Sequence, residues 1–82
     1  MKIAVVGTGR VGLPLALAFV ESGADVIGID INSEIRHAVN VERKMPFLEP
    51  GFESTLQSGK LQIREHIDEI GDIDYFIVTV GT

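Results

Sequence analysis

The run Gly7-Thr8-Gly9-Arg10-Val11-Gly12 stands directly after the apolar stretch Lys2-Ile3-Ala4-Val5-Val6, and a second such stretch, Asp25-Val26-Ile27-Gly28-Ile29, ends in Asp30. Glycines at this spacing, between a strand and a helix, do one kind of chemistry well: they let a diphosphate approach bare main chain. Gly7 permits the tight turn out of the strand, Gly9 has no side chain to hold a phosphate away, and Gly12 lets the helix lie close to the sheet. Amides at the helix start lack intrahelical acceptors and can meet the anion. Asp30, eighteen residues beyond Gly12, falls where a carboxylate accepts hydrogen bonds from both hydroxyls of an adenosine ribose. A 2′-phosphate would be repelled there, so the pattern favours NAD over NADP. A glycine triplet alone marks turns in many folds; the strand before, the helix after and the acid about twenty residues on raise it to a dinucleotide site.

Other polar residues read more plainly. Arg10 either adds a cation near the phosphates or points to solvent. Glu49, just before Pro50, is explained by capping and the helix dipole. His37 and His66 have no further ligand at metal spacing and read as surface residues. The acids Glu65, Asp68, Glu69, Asp72 and Asp74 read as a solvated face, because Gly71 breaks the register of a calcium loop. No metal site is expected.

The elements that must position the glycine loop follow from periodicity. Residues 2 to 6 are apolar without alternation, as in a strand buried on both faces of a parallel sheet. A first helix is expected from about Arg10 to Ser22, with Val11, Leu15, Ala18 and Phe19 facing inward and Gly23 stopping it; Pro14 lies in the first turn, where it costs little. Strand two is Asp25 to Ile29. Asn32 or Ser33 caps a second helix with Ile35, Ala38 and Val39 inward, ending near Glu42. Residues 43 to 47 read as loop. Pro50 opens a short third helix with Phe52 and Leu56 inward, ended by Gly59. Leu61 to Ile63 is a short third strand, His66 to Gly71 one helical turn, and Asp74 to Val80 a fourth strand.

Alternating strands and helices with right-handed crossovers give an α/β fold: a parallel sheet of order 3-2-1-4, half of a doubly wound, Rossmann-like unit, with helices mainly on one face. Residues 1–82 are thus read as a partial NAD-binding domain that stops after strand four. One sheet face and the strand-four edge are left open, which predicts a homo-oligomer formed there or a chain that belongs to something longer.

Composition narrows the function classes. The chain has 82 residues, 45% hydrophobic content and a net charge of −5. It is one small domain with a thin core, since a chain this size buries only about 60 to 65% of its unfolded surface. The acidic balance and scattered Lys and Arg argue against nucleic acid as partner. No apolar run reaches the roughly 18 residues needed to span a membrane. Cysteine is absent, so disulfides, thiolate metal sites and a thiol nucleophile are excluded from this chain. The first strand begins at the second residue and leaves no room for a signal peptide, so a cytoplasmic setting is expected.

Several stretches resemble the amino-terminal segment of the UDP-glucose/GDP-mannose dehydrogenase family, the NAD-dependent nucleotide-sugar 6-dehydrogenases. They are Gly7-Thr8-Gly9-Arg10-Val11-Gly12-Leu13-Pro14-Leu15-Ala16, Asp30-Ile31-Asn32, Pro46-Phe47-Leu48-Glu49-Pro50-Gly51-Phe52, Gly59-Lys60-Leu61 and Val80-Gly81-Thr82, in order along the whole chain. The resemblance implies that Gly7, Gly9, Arg10, Val11 and Gly12 form the pyrophosphate loop, that Asp30 takes the ribose and that Thr82 lies in the cofactor-side loop after strand four. Three positions depart from the family pattern: Arg10 where an aromatic residue is common, Glu34 where a basic residue often stands near the ribose, and Asn40-Val41-Glu42 in place of Asn-x-Gly. The family oxidises a primary alcohol twice through a catalytic cysteine, which implies that this chain binds NAD or an adenine nucleotide without completing that reaction. The alternative is a free-standing nucleotide-binding or self-associating structural module without redox activity.

Overall fold

Ile3, Ala4 and Val5 are all buried, which is why an uninterrupted apolar run was needed: this strand has neighbours on both edges. A computed structural model of the chain describes residues 1–79. Its four strands, β1 (Lys2–Val6), β2 (Asp25–Ile29), β3 (Gln62–Arg64) and β4 (Tyr75–Val78), form one parallel sheet in the order β3-β2-β1-β4. The expected order holds. β3 starts one residue later than expected and β4 is shorter at both ends; Val80, expected within it, lies outside the described residues.

Helix α1 (Gly12–Glu21) rotates differently from expectation. It buries Leu13, Ala16, Leu17 and Val20, while Val11 is 70% exposed, Ala18 is exposed and Leu15 and Phe19 are half-buried. The reason lies in Gly12, where a Cβ would collide with the Gly7 carbonyl. That contact turns Gly12 toward the strand end, and residues one, four, five and eight positions later follow it inward.

Helix α2 (Ser33–His37) is capped by Asn32, whose Oδ1 accepts from the amides of Glu34 and Ile35 at 2.9 and 3.4 Å. It runs straight into a π-helical turn, Ala38–Glu42, that buries Ala38 and Val39. From this turn Asn40 pairs with β3: its Nδ2 donates to the Ile63 carbonyl and its Oδ1 accepts from the Ile63 amide, both at 2.8 Å. Arg64 turns its carbonyl toward β2, accepting from the Asp30 amide, so the groups of Ile63 face the outer edge. Asn40 thereby closes a sheet edge that would otherwise be open.

Pro50 does not open the third helix. Pro50 and Gly51 form a turn with Gly51 at φ +110°, and helix α3 begins at Glu53 and ends at Gln57. The Glu53 carboxylate accepts from the Gly51 amide at 2.9 Å, so the acid steadies the turn. Leu56 is buried as expected, and Thr55 donates to Glu21 Oε2 at 2.6 Å, tying α3 to the end of α1.

Strand register sorts the sheet residues by face. Ile3, Val5, Val26, Ile63 and Ile77 share one face with Leu13, Leu17 and Val20 of α1, Val39 and Leu56, so both crossovers cover the same side. The opposite face carries Ala4, Val6, Ile27, Ile29, Phe76 and Val78. Ala4 and Ile29 are buried there, but Phe76 is 50% and Val78 67% exposed. No described helix is long and apolar enough to cross a membrane.

Candidate functional site

The glycine loop sits where β1 hands over to α1, at the carboxyl end of the sheet. Gly7 has φ +89°, a conformation that strains any residue with a Cβ, and its amide donates to the Ile29 carbonyl at 2.8 Å. That bond continues the β1–β2 ladder one step past the strand and sets the loop beside Asp30. Thr79, just after β4, holds the other side: its amide donates to the Val6 carbonyl at 2.8 Å, and its hydroxyl lies 2.7 Å from the Gly7 carbonyl as donor.

Gly9 is different in kind from its neighbours. A Cβ placed there would meet nothing within 4 Å, so no packing within the described chain demands glycine. The amides of Arg10 and Val11 donate to no acceptor among the described residues, and α1 has no side-chain cap. Open space thus lies over Gly9, beside unpaired donors at the positive end of a helix, which is what an anion requires.

Asp30 is joined to this loop directly. Its Oδ2 accepts from the amide and hydroxyl of Thr8 at 2.8 and 3.1 Å, and its Oδ1 accepts from the Asn32 amide at 2.9 Å. Thr8 is fully buried. A carboxylate offers about four acceptor positions. With three taken, about one on Oδ1 is left for an incoming hydroxyl. Arg36 supplies the basic group that Glu34 does not: its Nη1 donates to the Asp30 carbonyl at 3.1 Å, and its Nη2 lies 3.7 Å from Glu65.

Of the expected site residues, the structure brings together Gly7, Gly9, Arg10, Val11, Gly12 and Asp30; Thr82 lies outside the described residues. The Val11 side chain points to solvent. The Arg10 guanidinium stands 5.4 Å from the centroid of the Phe47 ring, which is half-buried against the core. Thr8, Thr79, Arg36 and Phe47 were not singled out from sequence. Thr8 had a faint signal, a hydroxyl between two loop glycines; Phe47 had only its place in the family-like segment from Pro46 to Phe52, and its loop reaches Arg10 only through the tertiary fold. A cleft of about 330 Å³ is lined by residues that include Met45, Phe47, Leu48, Pro50 and Leu56 and by no glycine-loop residue.

His37 and His66 are exposed, and among the described residues no three metal-binding side chains gather into a site.

Comparison with known proteins bears on the family and the fold. The model of the UDP-glucose/GDP-mannose dehydrogenase family, NAD binding domain, matches residues 1–82. The chain is 35% identical over 85 residues to the UDP-N-acetyl-D-mannosamine dehydrogenase of Pyrococcus horikoshii, covering 100% of this chain and 20% of that protein. It is likewise 35% identical to the UDP-N-acetyl-D-glucosamine 6-dehydrogenase of Salmonella typhi, covering 100% of this chain and 19% of that protein. Among solved structures, a ternary complex of GDP-mannose dehydrogenase from Pseudomonas aeruginosa superposes with a TM-score of 0.89 at 33% identity, over 100% of this chain and 20% of that one. The chain therefore spans about a fifth of the length of these relatives. The family match over the whole chain and the shared fold show that the chain belongs to the UDP-glucose/GDP-mannose dehydrogenase family and corresponds to its NAD-binding domain.

Proposed function

We propose that this chain holds NAD for a nucleotide-sugar 6-dehydrogenase, with the diphosphate on the loop from Gly7 to Gly12 and the adenosine ribose at Asp30. One observation carries the reading: the space over Gly9 is open, and the amides of Arg10 and Val11 beside it have no partner among the described residues. Gly9 and the amides of Arg10 and Val11 receive the phosphates, Gly7 and Gly12 shape the turn, and Thr82 is assigned to the cofactor side on the family pattern alone. The free acceptor on Asp30 Oδ1 takes a ribose hydroxyl and disfavours a 2′-phosphate, so NAD is preferred to NADP. When held there, NAD would supply a hydride-accepting nicotinamide ring. The sugar-oxidising groups are not assigned to this chain, which has no cysteine.

Residues 1–82 are read as part of a larger dinucleotide-binding domain. The exposed Phe76 and Val78 support a further layer over that face, supplied by a second copy or by more chain. Zero cysteines and a soluble cofactor support a cytoplasmic setting.

Calorimetric titration with NAD, NADP, ADP-ribose and inorganic pyrophosphate tests the reading. NAD and ADP-ribose should bind, NADP more weakly, and Asp30→Ala should weaken NAD more than pyrophosphate. No binding of NAD or ADP-ribose at millimolar concentration would overturn it.

A further inference from the structure

We infer that Phe47 is a positioning residue for the phosphate site: its ring holds the Arg10 guanidinium beside the open amides of the glycine loop, where a dinucleotide's diphosphate would lie. The inference rests on the NAD-binding reading above. Arg10 is exposed and forms no ion pair or side-chain hydrogen bond among the described residues, in a chain with twelve acidic side chains. An arginine in that setting would ordinarily sweep through solvent. Here the guanidinium lies 5.4 Å from a ring centroid, within the reach of a cation–π contact. The ring is itself packed against the core through the loop between the π-helical turn and α3, so the anchor is the more rigid partner. The contact leaves the guanidinium N–H groups, which lie in its plane, available at their edges for a phosphate. It also gives the Pro46-to-Gly51 loop a task that its distance in sequence from the glycine loop conceals.

Binding of NAD and of adenosine should be measured at low and high salt for the wild-type chain, Arg10→Met, Phe47→Leu and the double variant, with melting temperatures recorded for each. Arg10→Met should weaken NAD about tenfold and reduce its salt dependence. Phe47→Leu should weaken NAD about two- to fivefold and add nothing in the Arg10→Met background. Phe47→Tyr, which keeps the ring, should bind as wild type. Adenosine has no diphosphate and should bind all of them equally. Wild-type binding of NAD that Gly9→Val abolishes, together with unchanged affinity in Arg10→Met and Phe47→Leu, would overturn the positioning role alone. So would a Phe47→Leu effect that persists undiminished without Arg10. Absence of NAD binding by the wild-type chain would overturn the site reading and this inference with it.

Discussion

Replacing Gly9 by alanine should make the protein more stable and a far poorer NAD binder. The backbone φ of Gly9 is not positive, and a Cβ there meets nothing within 4 Å, so the folded chain accepts the methyl without strain. Gly→Ala at a compatible position stabilises by about 0.4 to 1 kcal/mol, because the unfolded chain has less freedom to lose. For a domain of this size that is roughly 2 to 8 °C in melting temperature. The ligand meets the opposite situation. A methyl over the loop displaces the diphosphate from the amides of Arg10 and Val11, and each hydrogen bond to a charged group is worth about 1.5 to 3 kcal/mol. Losing about 3 kcal/mol raises Kd by roughly a hundredfold. Thermal melts with and without NAD read both effects. At about 100 times the wild-type Kd, NAD stabilises the wild type by about 2.7 kcal/mol, more than about 10 °C. The same concentration only matches the variant's Kd, leaving about 0.4 kcal/mol. An undiminished NAD shift in Gly9→Ala would refute the diphosphate assignment. A variant less stable than wild type would show that Gly9 serves the fold instead.

Gly12→Ala should behave in the opposite way, because its Cβ strikes the Gly7 carbonyl and would lie 2.7 Å from the Thr79 hydroxyl; urea unfolding should show a loss of at least about 1 to 3 kcal/mol, the cost of overpacking. Leu17→Ala should cost about 2 to 5 kcal/mol, whereas Val11→Ser, at a side chain 70% exposed, should change stability by less than about 0.5 kcal/mol; equal losses in the two would contradict the observed face of α1. Asn40→Ala strips both edge hydrogen bonds from Ile63. It should cost about 1 to 3 kcal/mol and speed hydrogen exchange at the Ile63 amide, and an unchanged exchange rate would show that the edge is closed by other means.

Spacing along the chain determined the glycine loop, its acid, the strand order and the side on which the crossovers pack. These depend on contacts that local chemistry dictates: an apolar run long enough for a strand, glycines where a turn must pass, and a handedness rule that leaves one topology. The face of α1 was not legible, because Gly12 to Val20 is apolar nearly all round and offers no unique stripe; the close approach of Gly12 to Gly7 chose the rotation. The start of α3 was misread because Pro50 suits a first turn, whereas Gly51 at φ +110° keeps the turn apart from the helix. Only the tertiary structure decided that Thr8 clamps Asp30 across 22 positions, that Asn40 closes the β3 edge across 23 and that Phe47 meets Arg10. Each joins residues from separate elements, and a side chain's partner there is settled by how those elements dock, to which sequence periodicity is blind.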